Sequence, residues 1–326
     1  MAVFERILLT GGAGFVGSYL APVLAADYPG ARRALLTLHG SPSVDAAWTP
    51  VVGDLLDAQA IDDIVASLRP DLVVHLAGQA SIGRALDAAE QTWRANLLGS
   101  FNLASALARR APETVVLFAS SVSVYGASLN NGAVAEDAPL RPLDAYGRSK
   151  VAAEGALMDV LAQRSRLVIA RPVNHSGPRQ NEKQFVLSSF AAQIAAIESG
   201  RKPPELRVGD LSKARDFLDV RDVVAAYRAL IAKAPELPDR VSCFNIGSGE
   251  AHTIGDLLDR LRSRARRPFE THVETALLRP STVDIPTVAC DATKLRQTIG
   301  WRQRHTIDDM LQSLLDYWRG VESASE

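Results

Sequence analysis

Residues 6–28, RILLTGGAGFVGSYLAPVLAADY, join a short apolar run to a longer alanine- and leucine-rich one through a cluster of glycines. The run 6–10 has the length and branching of a β-strand, and the apolar residues after Gly14 recur at helical spacing, so the glycines fall in a strand-to-helix turn. Gly11, Gly14 and Gly17 then stand where backbone amides and a helix N-terminus can hold a pyrophosphate, and a side chain at these points would block its approach. A glycine-rich turn with no ligand is the plainer alternative; placement between a strand and a helix argues against it.

Working outward, the same alternation repeats. RILLT, ALLTLH, PVVGD, DLVVHLA, TVVLFAS and RLVIARP read as parallel strands separated by helical segments such as AEQTWRANLLGSFNLASALARR. The fold class that follows is α/β, a doubly wound parallel sheet of the Rossmann kind. After residue 172 the rhythm breaks into a Pro/Gly/Asn loop, a helix over FVLSSFAAQIAAIESG, a strand over ELRVGD, a helix after FLDVRD and a returning strand, CFNIGSG. Short helices follow. The expected division is a dinucleotide-binding domain over 1–172 plus about 216–247, and a smaller α/β substrate lobe over about 173–215 plus 248–326.

The chain has 326 residues, 47% hydrophobic, 22% charged, with a formal net charge of -1, enough for a large buried core. Scattered arginines give no basic stripe for nucleic acid, and no apolar run reaches membrane-spanning length. The start, MAVFERILLTGGAG, lacks the layout of a secretory signal and reads as a first strand, so the expected compartment is the cytoplasm. Cys243 and Cys290 are not spaced as metal ligands and read as packing residues. No metal is expected.

In this kind of fold an acid about 20 residues beyond the glycines grips the adenosine ribose of NAD. Here the second strand ends in Thr37, Leu38 and His39, without a carboxylate. That favours NADP(H), with NAD(H) still open. Arg32 and Arg33, expected just before this strand, are either solvated charges or partners of a phosphate, solvation being the stronger reading for Arg32. Asp54 in VVGDLLD either caps the next helix or contacts the adenine.

The stretch DAYGRSK, residues 144–150, places Tyr146 and Lys150 on one helix face. A lysine ammonium near a phenol lowers its pKa, making it a proton donor or acceptor near neutral pH, as carbonyl reduction requires. Lys150 can also bind the nicotinamide ribose. The fifth strand ends in FASSVSVYG, and Ser121 is the hydroxyl expected to hold developing charge on oxygen. Its neighbour Ser120 is expected to bond backbone and end the strand. Asn96 is either a buried polar residue in a helix or a supporting group.

Together TGGAGFVG, HLAGQA, SSVSVYG and YGRSK, with GxxGxxG spacing, resemble the extended short-chain dehydrogenase/reductase family of nucleotide-sugar enzymes along nearly the whole chain. The resemblance implies Ser121, Tyr146 and Lys150 as the catalytic group. It implies cofactor contacts from Gly11, Gly14, Phe15, Val16, Gly17, Asp54, Leu55, Leu76, Ala77, Gly78 and Asn96, with Asp54 beside the adenine, and a homodimer built on helices of the nucleotide lobe. RPVNHSGPRQ, RVGDLSKARDFLDVRDVV and LLRPSTVDIPTVACDATKLRQTIGW look like the branch of GDP-mannose dehydratases and GDP-6-deoxy-mannose reductases. By that likeness Gln79, Asn174 and the loop through Arg179 meet the nucleotide sugar, and Arg215 and Arg279 hold its GDP. The branch's dehydratases carry a glutamate where this chain has Ser123. A serine is a poor general base, so elimination is expected to be weak and reduction of a GDP-linked 4-keto-6-deoxyhexose favoured. A 4-epimerase or a dehydratase-like enzyme is the alternative. One departure stands out: the family's glycine in GPGQ is Arg179 here.

Overall fold

The computed structural model describes residues 3–38, 46–280 and 282–324. The strands are β1 (Arg6–Thr10), β2 (Arg32–Thr37), β3 (Thr49–Val52), β4 (Leu72–His75), β5 (Val115–Ala119), β6 (Arg166–Pro172), β7 (Asn174–Ser176), β8 (Glu205–Val208), β9 (Ala214–Asp219), β10 (Val241–Ile246), β11 (Ala251–Thr253), β12 (Glu270–Val273) and β13 (Thr287–Val288). The helices are α1 (Phe15–Asp27), α2 (Ala58–Leu68), α3 (Ile82–Asp87), α4 (Ala89–Trp93), α5 (Gly99–Arg110), α6 (Ala145–Leu161), α7 (Val186–Glu198), α8 (Val220–Lys233), α9 (Ile254–Arg262), α10 (Thr293–Ile299) and α11 (Ile307–Ser323).

Seven strands form one sheet in the order β10-β6-β5-β4-β1-β2-β3, every neighbouring pair parallel. This is the doubly wound sheet the alternation predicts. Its residues are apolar on both faces because helices cover both. Ile7 and Leu9 enter one core with Leu20 and Leu24 of α1 and Val223 and Leu230 of α8. Leu8, Val116 and Ile169 point the other way, into a core shared with Ile61 of α2, Leu103 of α5 and Leu157 of α6.

From β1 the chain winds outward to β2 and β3, then returns to the other side for β4, β5 and β6. The switch lies between β1 and β4, and helices springing to opposite sides there open a crevice at the carboxyl ends of the strands. A third core, with Phe190 and Ile194 of α7, Phe217 of β9, Leu257 and Leu258 of α9 and Leu311 and Leu314 of α11, stands apart from these two. A small sheet of β11, β9 and β13, with β7 paired to β9, adjoins it.

Several short elements escaped the sequence reading. The segment FLDVRD is read there only as the lead into a helix; its first three residues are the second half of β9, which supplies the middle of the small sheet. The long helical pattern over 89–110 is broken by one wide turn, Arg94–Leu98, of π-helical form. Arg32 and Arg33 do not precede β2 but open it, at its amino end. Arg33 donates there to the carbonyls of Tyr28, Pro29 and Ala47, on the edge of the sheet opposite the crevice, so it is no phosphate partner. His39 lies outside the described residues.

Candidate functional site

The glycine turn is packed to the limit of its backbone. Gly11 has φ 71°, a left-handed value, and a Cβ on it would lie 2.6 Å from the Ala77 nitrogen. On Gly17 a Cβ would lie 2.4 Å from the Gly11 carbonyl oxygen, so this glycine lets α1 pack against the turn. The first turn of α1 has no side-chain cap and no acid, leaving its amides to an anion. A dinucleotide pyrophosphate fits this cradle.

A cleft of about 620 Å³ runs from this turn into the smaller part of the molecule. Gly11, Gly14, Phe15, Val16, Gly17, Leu76, Gly78, Gln79, Ser121, Tyr146, Lys150, Asn174, Arg179, Arg215 and Arg279 all line it. Ala77 and Asn96 stand behind this wall, held by the polar contacts of the loop after β4. Asp54 and Leu55 lie at the end of β3 and are also off it. The helix-capping alternative for Asp54 fails: Asp57 caps α2 by accepting from the Gln59 and Ala60 amides, while Asp54 accepts from the Leu56 amide.

Asp144 caps α6 through the Gly147 amide at 2.8 Å, and this fixes where the helix presents Tyr146 and Lys150. The phenol of Tyr146 lines the cleft beside Ser121, whose Oγ caps the short turn after β5 by accepting from the Ser123 amide at 3.2 Å and donates to the Ser123 hydroxyl at 3.2 Å. Lys150 is buried and its ammonium donates to the Ala119 carbonyl at 2.8 Å. Burial, partly offset by Glu154, pulls the lysine down to about 8. The expectation that Lys150 lowers the tyrosine is not met. Burial dominates and pushes Tyr146 up to about 12, with the neighbouring Ser121 opposing it, so near neutral pH the phenol keeps its proton.

Beneath these groups lies a polar support that spacing alone did not reveal. Asn96, on the π-helical turn, accepts from the Gln79 amide at 2.8 Å and donates to the Gln79 carbonyl and to Ser149. Asn96 is therefore a supporting group that ties the loop after β4 to α6. The wide turn is what lets its side chain face inward. Below it, His75 bridges Thr10 and Ser100 at 2.7 and 2.9 Å, and Thr10 accepts from the Ala77 amide. Ser120 follows the last residue of β5 and its amide donates to the Ala170 carbonyl, as expected, while its hydroxyl donates to Glu154, which is also paired with Arg171 of β6 at 2.6 Å. Glu154 lies four residues after Lys150, a helical spacing that could have flagged it.

The residues expected to hold substrate divide into closed and open ones. Gln79 commits its side-chain amide to Ser81 and Thr92, which locks the loop rather than reaching outward. Arg215 donates to Asp284 at 2.8 Å and to the carbonyls of Ala214, Ile285 and Pro286, so its fork is occupied by the protein. Asn174, Arg179 and Arg279 are exposed along the cleft, as is Arg84 of α3, which the sequence reading passed over. His175 also lines the cleft and stacks on Phe15 with ring centroids 6.1 Å apart. Burial holds both cysteine thiols protonated, Cys243 pushed up to about 12 and Cys290 well above its usual range. Among the described residues no helix is long and apolar enough to cross a membrane, and no group of three or more His, Cys, Asp or Glu could hold a metal ion.

A parallel sheet whose switch point carries a glycine cradle beside a buried serine, tyrosine and lysine defines a nicotinamide-dependent oxidoreductase of the short-chain dehydrogenase/reductase type. Comparison with known proteins narrows the class, because residues 7–247 match the model of the NAD dependent epimerase/dehydratase family, and the chain belongs to that family. It is 33% identical over 316 residues to the GDP-6-deoxy-D-mannose reductase of Pseudomonas aeruginosa, covering 96% of this chain and 97% of that one. The structure of RMD from Pseudomonas aeruginosa complexed with NADPH superposes with a TM-score of 0.81 at 30% identity, over 97% of this chain and 100% of the other. The UDP-glucose 4-epimerase of Thermus thermophilus, solved in complex with NAD, gives 0.83 at 27% identity, over 97% and 99%.

Proposed function

We infer that the protein reduces C4 of GDP-4-keto-6-deoxy-D-mannose to give GDP-D-rhamnose. The observation that carries this reading is Ser121, Tyr146 and a buried Lys150 lining one cleft, with Ser123 where the branch's dehydratases carry a carboxylate. The bound nicotinamide would supply hydride to the ketone carbon. Ser121 would donate a hydrogen bond to the ketone oxygen, and Tyr146, protonated because it is buried, would pass its proton to that oxygen as charge builds. Lys150 would hold the nicotinamide ribose and place a positive charge near the phenolate left behind.

Gly11, Gly14, Phe15, Val16 and Gly17 would hold the cofactor's pyrophosphate, with Leu76, Ala77 and Gly78 along its nicotinamide half and Asp54 and Leu55 toward the adenine. NADPH is the donor this reading favours, supported by the lack of a carboxylate at Thr37 and Leu38 where β2 ends and by the NADPH-bound relative. Asn174, Arg179 and Arg279 would meet the nucleotide diphosphate; Arg215, engaged by Asp284, would shape the wall behind it. The expected two-lobe division puts the cofactor on the seven-stranded sheet and the sugar nucleotide on the third core. A homodimer belongs to the same reading, and exposed Leu98, Phe101 and Met158 on the surface of α5, its preceding turn and α6 support it.

Incubation with GDP-4-keto-6-deoxy-D-mannose and NADPH, followed by NMR of the sugar, tests the assignment. GDP-D-rhamnose is expected; the C4 epimer would overturn the stereochemistry, and recovery of unreacted ketone would overturn the substrate. A 4-epimerase remains the second reading because the same tyrosine and lysine serve it and an epimerase shares the fold at 27% identity.

A further inference from the structure

Tyr227, midway along α8, is only 1% exposed, yet it lines the cleft. No described residue hydrogen-bonds its hydroxyl. Among the described residues the side-chain polar atoms sealed in protein without a partner belong to Thr37 and His305, so the Tyr227 hydroxyl is not sealed and opens on the cleft. Buried polar groups are nearly always bonded, and an exception needs a reason. Tyr125, equally buried, donates to Asn245 at 2.7 Å.

The other buried polar side chains of the wall are engaged by the protein. Ser81 accepts from the Arg84 amide and Asp144 from the Gly147 amide. Ser120 donates to Glu154, Ser121 to Ser123, Lys150 to the Ala119 carbonyl, Gln180 to the His175 carbonyl and Arg215 to Asp284. Tyr146 is reserved for the ketone, which leaves Tyr227. Asn174, Arg84, Arg179 and Arg279 also face the cleft, but they are exposed, and an open donor in solvent needs no special account. His175 is half-buried and already bonded to the Val173 carbonyl.

Position decides which ligand the hydroxyl meets. Long side chains on a helix lean toward its N-terminus, and α8 begins against the cofactor turn. A Cβ on Gly177 would lie 2.8 Å from Val220, the first residue of α8, and 3.8 Å from Phe15, the first of α1. Tyr227 shares a core with Leu20 and Leu24 of α1, whereas α6, which carries Tyr146, covers the opposite face of the sheet. The two phenols therefore approach the crevice from opposite sides. Burial first and Tyr146 second push the Tyr227 pKa above its ordinary range, so the group is a neutral donor suited to a neutral oxygen. The part of the cofactor that has to lie beside Tyr146 is the nicotinamide, and its carboxamide carries such an oxygen.

We propose that the Tyr227 hydroxyl donates to the carboxamide oxygen of the bound nicotinamide and so fixes the ring in the cleft. The inference rests on the nicotinamide-dependent class and is independent of the sugar assigned above.

Calorimetric titration of the full chain with NADPH and with 2′-phospho-ADP-ribose, which lacks the nicotinamide, tests this beside thermal melts of the free protein. Tyr227→Phe should weaken NADPH about fivefold and leave 2′-phospho-ADP-ribose within about twofold. Free of ligand it should melt no lower than wild type, since the hydroxyl it loses has no protein partner. Tyr125→Phe, which loses the bond to Asn245, should do the reverse: a lower melting temperature with NADPH affinity kept. The proposal is overturned if Tyr227→Phe leaves NADPH affinity unchanged, and an accompanying rise in KM for the keto sugar would assign the hydroxyl to the substrate. It is also overturned if both nucleotides weaken alike while the free variant melts lower, the mark of a structural hydroxyl. Wild-type protein that binds NADH in place of NADPH refutes the choice of donor alone, and the variants are then scored on NADH and ADP-ribose; binding of neither overturns the inference.

Discussion

Replacing Glu154 with glutamine should expose how strongly the catalytic helix depends on a charge beneath it. Glu154 is 0% exposed and Arg171 6%, the two are 2.6 Å apart, and Ser120 and Tyr125 complete the hydrogen bonding around them. Glutamine keeps the shape but leaves a buried guanidinium without its counter-charge, which costs about 3–5 kcal/mol. A chain of 326 residues unfolds with an entropy of about 0.7 kcal/mol/K, so the melting temperature should fall by about 4–7 °C. The same change reaches the active site one helical turn away. Lys150 sits at about 8 because burial pulls it down while Glu154 pulls it up. Removing the upward pull makes the lysine lose its proton at lower pH, and if the charged lysine is required, the alkaline limb of kcat/KM should move to below pH 8. Scanning calorimetry and a pH–rate profile read the two effects. A melting temperature within 1 °C of wild type together with an unmoved alkaline limb would refute both the buried-pair argument and its coupling to Lys150.

Tyr146→Phe should bind cofactor normally and lose about 10²–10⁴ in turnover, since the ring stays and the proton donor goes; near-normal turnover would remove Tyr146 from the chemistry. Gly17→Ala places a methyl 2.4 Å from the Gly11 carbonyl and should cost about 1–3 kcal/mol while weakening NADPH, as thermal melts with and without cofactor would show; an unchanged NADPH affinity would refute the packing account of this turn. His75 is buried and neutral, its pKa held down to about 3 by desolvation first and by Lys150 second. The unfolded chain takes up a proton near 6.5 that the folded one refuses, so stability present above that pH is lost as pH falls from 6.5 toward 3. Urea midpoints should fall over this range and fall less in His75→Gln; identical slopes in the two proteins would contradict it.

Much of the fold was legible because it rests on local pattern. The glycine turn, the β-branched runs and the helical segments between them give the sheet and its cover directly, and the dyad of Tyr146 and Lys150 follows from a four-residue spacing. What stayed hidden depends on tertiary placement. Strands such as β11 and β13 are two or three residues long and carry no period of their own. The π-helical turn leaves no compositional mark, yet it is what brings Asn96 against Gln79. Motif context cannot say whether an arginine is already engaged, and Arg215, bound by Asp284 from a segment 69 residues away, shows why. Spacing likewise places an ammonium near a phenol without fixing its direction; Lys150 turns to the Ala119 carbonyl, and burial then decides the state of Tyr146.

The central claim is net reduction of a keto-sugar nucleotide, and the direct test is stoichiometry. Purified protein is given a limiting, known amount of GDP-4-keto-6-deoxy-D-mannose with excess NADPH, and the loss of reduced nicotinamide absorbance is compared with the sugar consumed. One NADPH oxidised for each sugar is the result this account predicts, whereas sugar conversion with no net loss of NADPH would contradict it.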